Sequence, residues 1–258
     1  MLKAELDLAA VKGKVKSFIQ RKVDEAQADG VVIGISGGID SAVAAYLSVE
    51  ALGSRRVLGL IMPDLRVTPK EDIEDARAIS NELSIETKVV DIAPLHRSFM
   101  KNFEANKIAE GNLRARIRMA TLYYYANSLN RLVVGTGDRS ELLLGYFTKF
   151  GDGGVDILPI ADLYKTEVRK LGEVLGVNRR IISKRSSPRL WHGQLAESEI
   201  GLSYDVVDEI LKLRFDQRTE VRSISSRLKI PQADVEKIVS RCSFTIHKRQ
   251  MPEICKIR

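Results

Sequence analysis

A glycine-rich turn between an apolar run and a helix-like segment is the most restrictive feature of this sequence. The apolar residues 31–33 are followed by GISGGIDS at 34–41 and then by the alanine-rich segment 42–47. Glycines let backbone N–H groups turn toward an anion, and a helix N-terminus adds partial positive charge. The pattern therefore predicts a strand, a phosphate-binding turn and a helix in direct succession.

Asp40 is the unusual member of this turn, because a carboxylate beside phosphates is repulsive unless a divalent cation lies between them. The turn therefore predicts a polyphosphate bridged by Mg²⁺. A Walker loop requires lysine where Asp40 stands, and in the dinucleotide fingerprint G-x-G-x-x-G only Gly34 is in frame. The alternative without a ligand is an ordinary strand-to-helix turn rich in Gly and Ser.

Further strand-like runs at 57–61, 87–90 and 132–134 alternate with helical patterns, which predicts a parallel sheet with helices on both faces. Ligands are expected at the carboxyl ends of its strands. We expect an amphipathic helix over about 2–28, a nucleotide-binding core over about 31–176, and a basic loop with short helices over about 177–258. The 258 residues contain no repeat or low-complexity linker, so we interpret 1–258 as one domain.

The net charge of +7 permits a nucleic-acid partner, but the basic residues form local clusters without interleaved aromatics. A small polyanion accounts for such clusters equally well, so nucleic acid is the weaker interpretation. No stretch is long enough for a membrane span and no signal peptide opens the chain, which favours a cytoplasmic protein without membrane contact. Cys242 and Cys255 lack metal-ligand spacing and are predicted to be free thiols.

A second informative segment, residues 111–119, combines helical periodicity with three arginines. The predicted rotation points Arg114 and Arg118 away from the core and puts Arg116 at the flank of the buried face. An arginine there needs an anionic partner, unless its head group simply reaches solvent. The apolar positions that define this predicted buried face are Leu113, Ile117, Ala120 and Tyr124.

A third segment, GTGDRSE at 135–141, follows the fourth strand-like run. It lies where an α/β sheet binds its ligands, and Glu141 is a candidate to share one magnesium ion with Asp40. A glutamate in a first helical turn more often complements the helix dipole, so this signal is weak in isolation.

Together the three segments resemble the NAD synthetase family of the ATP pyrophosphatase (PP-loop) group. The resemblance rests on SGGIDS, on GNLRARIRM at 111–119, on the long motif at 135–168, and on later elements at 186–194 and 247–249; it covers about 31–251. It implies an α/β fold with a Rossmann-like, doubly wound parallel sheet of about five strands. This sheet is of the adenine nucleotide α-hydrolase-like type and carries a helical C-terminal extension.

The resemblance also implies a reaction in which ATP, deamido-NAD (nicotinic acid adenine dinucleotide) and ammonia give NAD, AMP and pyrophosphate through an acyl-adenylate. Mg²⁺ is the implied cofactor and a homodimer the implied assembly. Family members that use glutamine carry an additional upstream domain with a catalytic cysteine. Here about thirty residues precede the first strand and both cysteines lie at the far end, so we expect free ammonia as the nitrogen source and no glutaminase domain.

The family's functional positions are carried over residue by residue. The implied ATP-binding residues are Gly34, Ile35, Ser36, Gly37, Gly38, Ile39, Asp40, Ser41, Thr136, Lys165 and Ser187. The implied deamido-NAD-binding residues are Arg116, Lys149, Asp156, His247 and Lys248. The implied magnesium ligands are Asp40 and Glu141. Transition-state support is assigned to Ser36, Asp40, Ser41 and Lys165, with no covalent nucleophile.

Two departures and two alternative functions accompany this interpretation. Asp138 stands where many members carry Asn, and LAESE at 195–199 replaces a more acidic T-D-E-x-E pattern. A PP-loop ligase or thiolase that modifies tRNA would predict an added RNA-binding domain or catalytic cysteines. A non-catalytic adenine-nucleotide-binding module would keep the glycine turn but has no need for Asp40, Glu141 and Lys165 together.

Overall fold

Four parallel strands form the central sheet in the order β3-β2-β1-β4. An isolated parallel bridge joins Val134 to Ile157. The prediction of about five parallel strands is therefore confirmed, with this bridge in place of a full fifth strand. In the computed structural model, which describes residues 6–257, the strands are β1 (Gly30–Gly34), β2 (Val57–Ile61), β3 (Glu86–Val89) and β4 (Arg131–Val134).

The described part of the chain contains twelve α-helices, and none of them is long and apolar enough to cross a membrane. The predicted N-terminal helix is confirmed over Leu8–Glu25, whereas residues 2–5 of that prediction lie outside the described residues. The helices are α1 (Leu8–Glu25), α2 (Ile39–Leu52), α3 (Lys70–Glu82), α4 (Ala93–Met100), α5 (Lys107–Ser128), α6 (Arg139–Leu144), α7 (Lys165–Val174), α8 (Arg179–Ile182), α9 (Ala196–Ile200), α10 (Tyr204–Leu211), α11 (Val221–Leu228) and α12 (Gln232–Phe244).

The sheet buries both of its faces, because successive side chains of a strand point in opposite directions. Val31 and Ile33 of β1 pack in one apolar cluster with residues of α1, α2 and α7. Val32 packs in a second cluster with Ile117 of α5. This double coverage leaves the carboxyl edge of the sheet as the place where the loops after the strands meet.

The C-terminal helices have an apolar cluster of their own. Leu144 of α6 packs there with buried residues of α9 to α12, among them Tyr204 and Cys242. This arrangement agrees with the predicted helical C-terminal extension. Through α6 the extension is continuous with the segment that follows β4.

The predicted rotation of α5 is wrong. Ala120 and Tyr124 were expected to be buried but are exposed, Tyr124 by 68% of its surface, whereas Arg114 is only 7% exposed. The physical reason is that Asp64, fully buried just after β2, accepts a hydrogen bond from the Arg114 guanidinium at 2.8 Å. An arginine that has an internal partner can lie on the buried face of a helix. The prediction placed every arginine except Arg116 outward, and it therefore assigned the wrong buried face to α5.

Candidate active site

The predicted glycine turn lies between the end of β1 at Gly34 and the start of α2 at Ile39. Ser36 and Ser41 close it: the Ser36 N–H donates to Ser41 Oγ at 3.1 Å, and the two hydroxyl oxygens are 3.0 Å apart. Ser41 Oγ donates in turn to the carbonyl of Gly38 at 3.0 Å. These bonds fix the turn at the N-terminus of a 14-residue helix, where a phosphate is favoured.

A cavity of about 500 Å³ opens at the carboxyl edge of the sheet, next to this turn. Its wall also includes Glu141 and Lys248, whereas Gly37 and Lys165 are absent from the lining. The structure therefore brings most of the predicted nucleotide residues to one chamber. The predicted ATP-binding residues in its wall are Gly34, Ile35, Ser36, Gly38, Ile39, Asp40, Ser41, Thr136 and Ser187.

Lys165 lies behind this wall in a cluster of three carboxylates. Its Nζ is 2.6 Å from Asp40 Oδ2, 2.9 Å from Glu141 Oε1 and 2.9 Å from Asp138 Oδ2. The side chains of Lys165 and Asp138 are fully buried. One ammonium group thus faces three carboxylates, and when all are ionised the cluster has a negative charge in excess.

The pKa values of the cluster reflect burial together with this excess of negative charge. Burial, opposed by Lys165 but reinforced by repulsion from Asp40, raises the pKa of Asp138 to about 6. Burial also raises the pKa of Glu141 well above its ordinary value. For Lys165, burial favours the neutral amine, but the attraction of the three carboxylates outweighs it and raises the pKa. The lysine is therefore held as a cation.

Asp138 belongs to this cluster although sequence reasoning treated it only as a departure from the family pattern. It is the N-cap of α6, where Asp138 Oδ1 accepts the Glu141 N–H at 2.7 Å. Glu141 Oε2 accepts the Asp138 N–H in return, at 3.4 Å. The two oxygens of Glu141 thus have different partners: Oε2 accepts the Asp138 N–H, and Oε1 pairs with Lys165. The sequence signal that could have identified Asp138 is the capping-box spacing D-x-x-E at 138–141.

The donor set fits a hard divalent cation. Asp40 Oδ1 is buried and has no hydrogen-bond partner among the described residues, while Asp40 and Glu141 both line the cavity. Within residues 6–257 no three His, Cys, Asp or Glu side chains form a metal-binding group. This agrees with the usual binding of Mg²⁺, in which one or two carboxylates are completed by substrate phosphates and water.

Three of the predicted dinucleotide residues are linked by hydrogen bonds. Arg116, which is exposed, donates from Nη2 to the carbonyl of Lys149 at 3.3 Å, and Lys149 Nζ donates to the carbonyl of His247 at 2.9 Å. Lys248, next to His247, donates to the carbonyls of Gly145 and Phe147. The C-terminal segment is therefore joined to the loop that carries Lys149, and these bonds bring four basic residues into one region of the fold.

Asp156 has hydrogen-bond partners of its own, and within the described chain no hydrogen bond or ion pair joins it to these basic residues. It accepts hydrogen bonds from the Tyr123 hydroxyl at 2.9 Å and from the Val133 N–H at 2.7 Å. These contacts account structurally for an aspartate at this position, and its assignment to the dinucleotide stays a prediction.

Two buried carboxylates of α3, which the sequence analysis did not identify, bind basic residues of the loop after α8. Asp72 accepts hydrogen bonds from Lys184 Nζ at 2.9 Å and from Arg189 Nε at 2.7 Å, and Asp75 pairs with the same lysine. Lys184 Nζ also donates to the carbonyl of Gly37 at 3.0 Å. One lysine thereby joins the glycine turn, α3 and the basic loop.

Comparison with known proteins agrees with the nucleotide-binding site that this geometry indicates. Residues 11–252 match the family model described as NAD synthase. The NH(3)-dependent NAD(+) synthetase of Archaeoglobus fulgidus is 50% identical over 95% of this chain and 96% of that protein. A solved NH3-dependent NAD synthetase from Campylobacter jejuni is 34% identical, with a TM-score of 0.84 over 98% of this chain and 100% of that chain. The structure of NMN synthetase from Francisella tularensis has the same TM-score and coverage at 33% identity.

Proposed function

This chain belongs to the NAD synthase family, and from that premise we propose that it amidates deamido-NAD with ammonia, consuming ATP and forming NAD, AMP and pyrophosphate. The observation that carries the proposal is the cavity beside the glycine turn, which Asp40 and Glu141 line in front of Lys165. That arrangement suits a nucleoside triphosphate cleaved at its α-phosphorus. Ammonia as the nitrogen source is supported by relatives named NH(3)-dependent NAD(+) synthetase.

In the first step the nicotinate carboxylate attacks the α-phosphorus of ATP, and pyrophosphate leaves. Backbone N–H groups of residues 39–41, at the N-terminus of α2, bind phosphate oxygens, because the start of a helix presents partial positive charge. Lys165 compensates negative charge behind the phosphates, and Ser36 and Ser41 keep the turn closed. Catalysis in this step is mainly positioning and charge stabilisation.

Asp40 and Glu141 would hold Mg²⁺, which when bound neutralises charge on the triphosphate and on the departing pyrophosphate. The unpartnered Oδ1 of Asp40 and the excess negative charge of the cluster support this assignment. Removal of divalent metal with EDTA is expected to abolish turnover and to weaken ATP binding, and Mg²⁺ restores both.

In the second step ammonia attacks the acyl carbon of the adenylate, and AMP leaves. The chain needs no nucleophile of its own, because the reaction joins two substrates directly. Arg116, Lys149, His247 and Lys248 are proposed to bind the dinucleotide, since this basic group suits phosphates. Asp156 is proposed to contact the same substrate from its place beside Tyr123.

The test is product analysis with the purified chain, Mg²⁺, ATP, deamido-NAD and ammonium chloride. We expect NAD, AMP and pyrophosphate in equal amounts, and loss of turnover in Asp40→Asn and Glu141→Gln with the fold retained. NAD without matching AMP, or no NAD at all, contradicts the proposal. Nicotinic acid mononucleotide is tested in parallel, because the Francisella tularensis structure is titled NMN synthetase; a preference for it would reassign the substrate.

We also propose a cytoplasmic homodimer, as the family resemblance implies. Large apolar side chains on the surface support an interface: Tyr124, Phe150 and Phe244 are exposed by 68%, 55% and 81%. Light scattering after size-exclusion chromatography is expected to give about twice the 28.8 kDa chain mass. The chain mass itself would contradict the dimer.

A further inference from the structure

Arg118 of α5 lines the cavity and has no carboxylate hydrogen-bonded or ion-paired to it among residues 6–257. Its Nε donates to the carbonyl of Met62 at 3.0 Å, and within the described chain this is its one hydrogen bond. A guanidinium carries five N–H donors, so most of its donors remain free for a ligand. Burial lowers the pKa of Arg118 to about 10, which still leaves it charged at neutral pH.

Arg114, one helical turn earlier on α5, has hydrogen-bond acceptors inside the protein. Its Nε donates to Asp64 Oδ2 at 2.8 Å and its Nη1 to the carbonyl of Leu190 at 3.1 Å. Among the described residues, therefore, Arg114 has a directly hydrogen-bonded carboxylate, whereas Arg118 has none.

Asp64, the acid that serves Arg114, has no remaining capacity for Arg118. Its Oδ1 accepts from the backbone N–H and Nε of Arg66, at 3.1 and 2.9 Å. Its Oδ2 accepts from Arg66 Nη2 at 2.7 Å and from Arg114 Nε at 2.8 Å. Four hydrogen bonds fill the lone-pair positions of a carboxylate. Asp152 also lines the cavity and attracts Arg118 electrostatically, but within the described chain no hydrogen bond or ion pair joins the two, so the free donors of Arg118 remain available to a ligand anion.

Arg118 lies in the wall of the cavity beside the glycine turn. Of the α5 residues that line the cavity in the described chain, it is the one that carries a charge. Its anchor, Met62, follows β2, and a Cβ built on Gly34 at the start of the glycine turn would be 3.4 Å from Met62 Cε. Arg118 is thus hydrogen-bonded to a residue whose side chain reaches the start of the phosphate-binding turn. The neutral α5 residues around it are Ile108, Asn112, Ala115, Met119 and Leu122.

We propose that Arg118 binds an oxyanion of the substrates in this cavity, namely the nicotinate carboxylate or a phosphate group. The proposal rests on the function proposed above and adds to it a binding residue that the family pattern did not supply. A charged group in a cavity wall is stabilised when a ligand oxyanion completes its hydrogen bonds. The sequence argument that an inward arginine needs an anion applies to Arg118 rather than to Arg116.

The test is isothermal titration of wild type, Arg118→Gln and Arg118→Lys with three ligands. These are α,β-methylene-ATP with Mg²⁺, deamido-NAD, and NAD, whose amide lacks the carboxylate. Arg77→Gln, on the exposed side of α3, is the matched control and should bind all three like wild type. Thermal unfolding and circular dichroism of each variant are recorded in parallel to verify the fold.

Removal of one charge-assisted interaction should weaken binding roughly 10- to 100-fold in Arg118→Gln. If deamido-NAD alone loses affinity, the oxyanion is the carboxylate; if the ATP analogue does, it is a nucleotide phosphate; if both dinucleotides do, it is a dinucleotide phosphate. Any of these supports the proposal. Affinities within twofold of wild type for all three ligands overturn it.

If the Gln variant does not fold, Arg118→Lys carries the test alone. A lysine keeps the charge but cannot form two parallel hydrogen bonds, so affinity for one ligand should fall roughly fivefold. An unchanged affinity in the folded Lys variant overturns the proposal. Failure of the proposed function is separate, since it appears as absence of NAD formation by the wild-type chain whatever Arg118→Gln does to binding.

Discussion

The close contact between Gly37 and α3 leads to a graded prediction for three glycine-to-alanine substitutions. Gly37 has φ of +77°, and a Cβ at this position would lie 2.3 Å from the carbonyl oxygen of Asp72. Gly176 has φ of +79° with nothing within 4 Å of a Cβ, and Gly13 has neither restriction in the middle of α1. The three sites separate backbone strain from steric contact.

The magnitudes follow from these differences. At Gly13, alanine should stabilise the protein by about 1 kcal/mol through helix propensity. At Gly176, the left-handed conformation costs about 1–2 kcal/mol, partly offset by lower entropy of the unfolded chain. At Gly37 the same strain is joined by overpacking against backbone, which adds about 1–3 kcal/mol. We therefore expect Gly37→Ala to lose about 2–4 kcal/mol.

Urea unfolding followed by circular dichroism measures these differences in the free energy of unfolding. In thermal unfolding, each kcal/mol should shift the Tm of a chain of this size by about 2–4 °C. Gly37→Ala should also weaken ATP-analogue binding, because relief of the contact moves the glycine turn away from α3. Gly176→Ala should leave that binding unchanged. A Gly37→Ala protein as stable as Gly176→Ala would refute the steric argument, since the two share the same φ.

Two further predictions concern buried groups. Asp64→Asn should lose about 3–5 kcal/mol of stability at pH 7, because Arg66 and Arg114 then lack their carboxylate. Burial alone would raise the pKa of Asp64, but hydrogen bonds from Arg66 and Arg114 hold it well below its usual range. The advantage of wild type is therefore present above about pH 4 and lost as pH falls through the lowered pKa; equal urea stabilities at pH 7 would contradict this. Cys255 is exposed and Cys242 is buried, where burial raises the pKa of its thiol to about 11. Ellman's reagent should therefore titrate one thiol rapidly in the native protein and the second after unfolding, and two rapid equivalents would disprove the assignment.

The fold was predictable from sequence because its signals are local. Three strands were marked by short apolar runs and β3 by a strand-like run that includes a lysine, and the glycine turn fixed the transition from β1 to α2. A parallel α/β sheet follows from such alternation without knowledge of distant contacts. The predicted free thiols lie near the C-terminus, one inside the C-terminal helical cluster and one exposed.

The candidate site was predictable only where its residues lie on motifs. Asp40, Glu141 and Lys165 were named from the sequence, and the structure places Asp40 Oδ2 and Glu141 Oε1 at 2.6 and 2.9 Å from Lys165 Nζ. The rotation of α5 was not predictable, because it depends on Asp64, fifty positions away from Arg114 in the chain. Pairing across such a distance has no periodic signature.

Two buried acids, placed after β2 and on α3, also determine how the segment 184–190 lies along the cavity. Asp72 holds Lys184 and Arg189 near the two ends of the segment. Asp64 holds Arg114, which in turn donates to the carbonyl of Leu190. Because these contacts are made between groups of the protein itself, internal ion pairs offset the ordering entropy of the segment. Less of the binding free energy of substrate is then needed to order this part of the cavity wall, and more remains to orient the reacting groups.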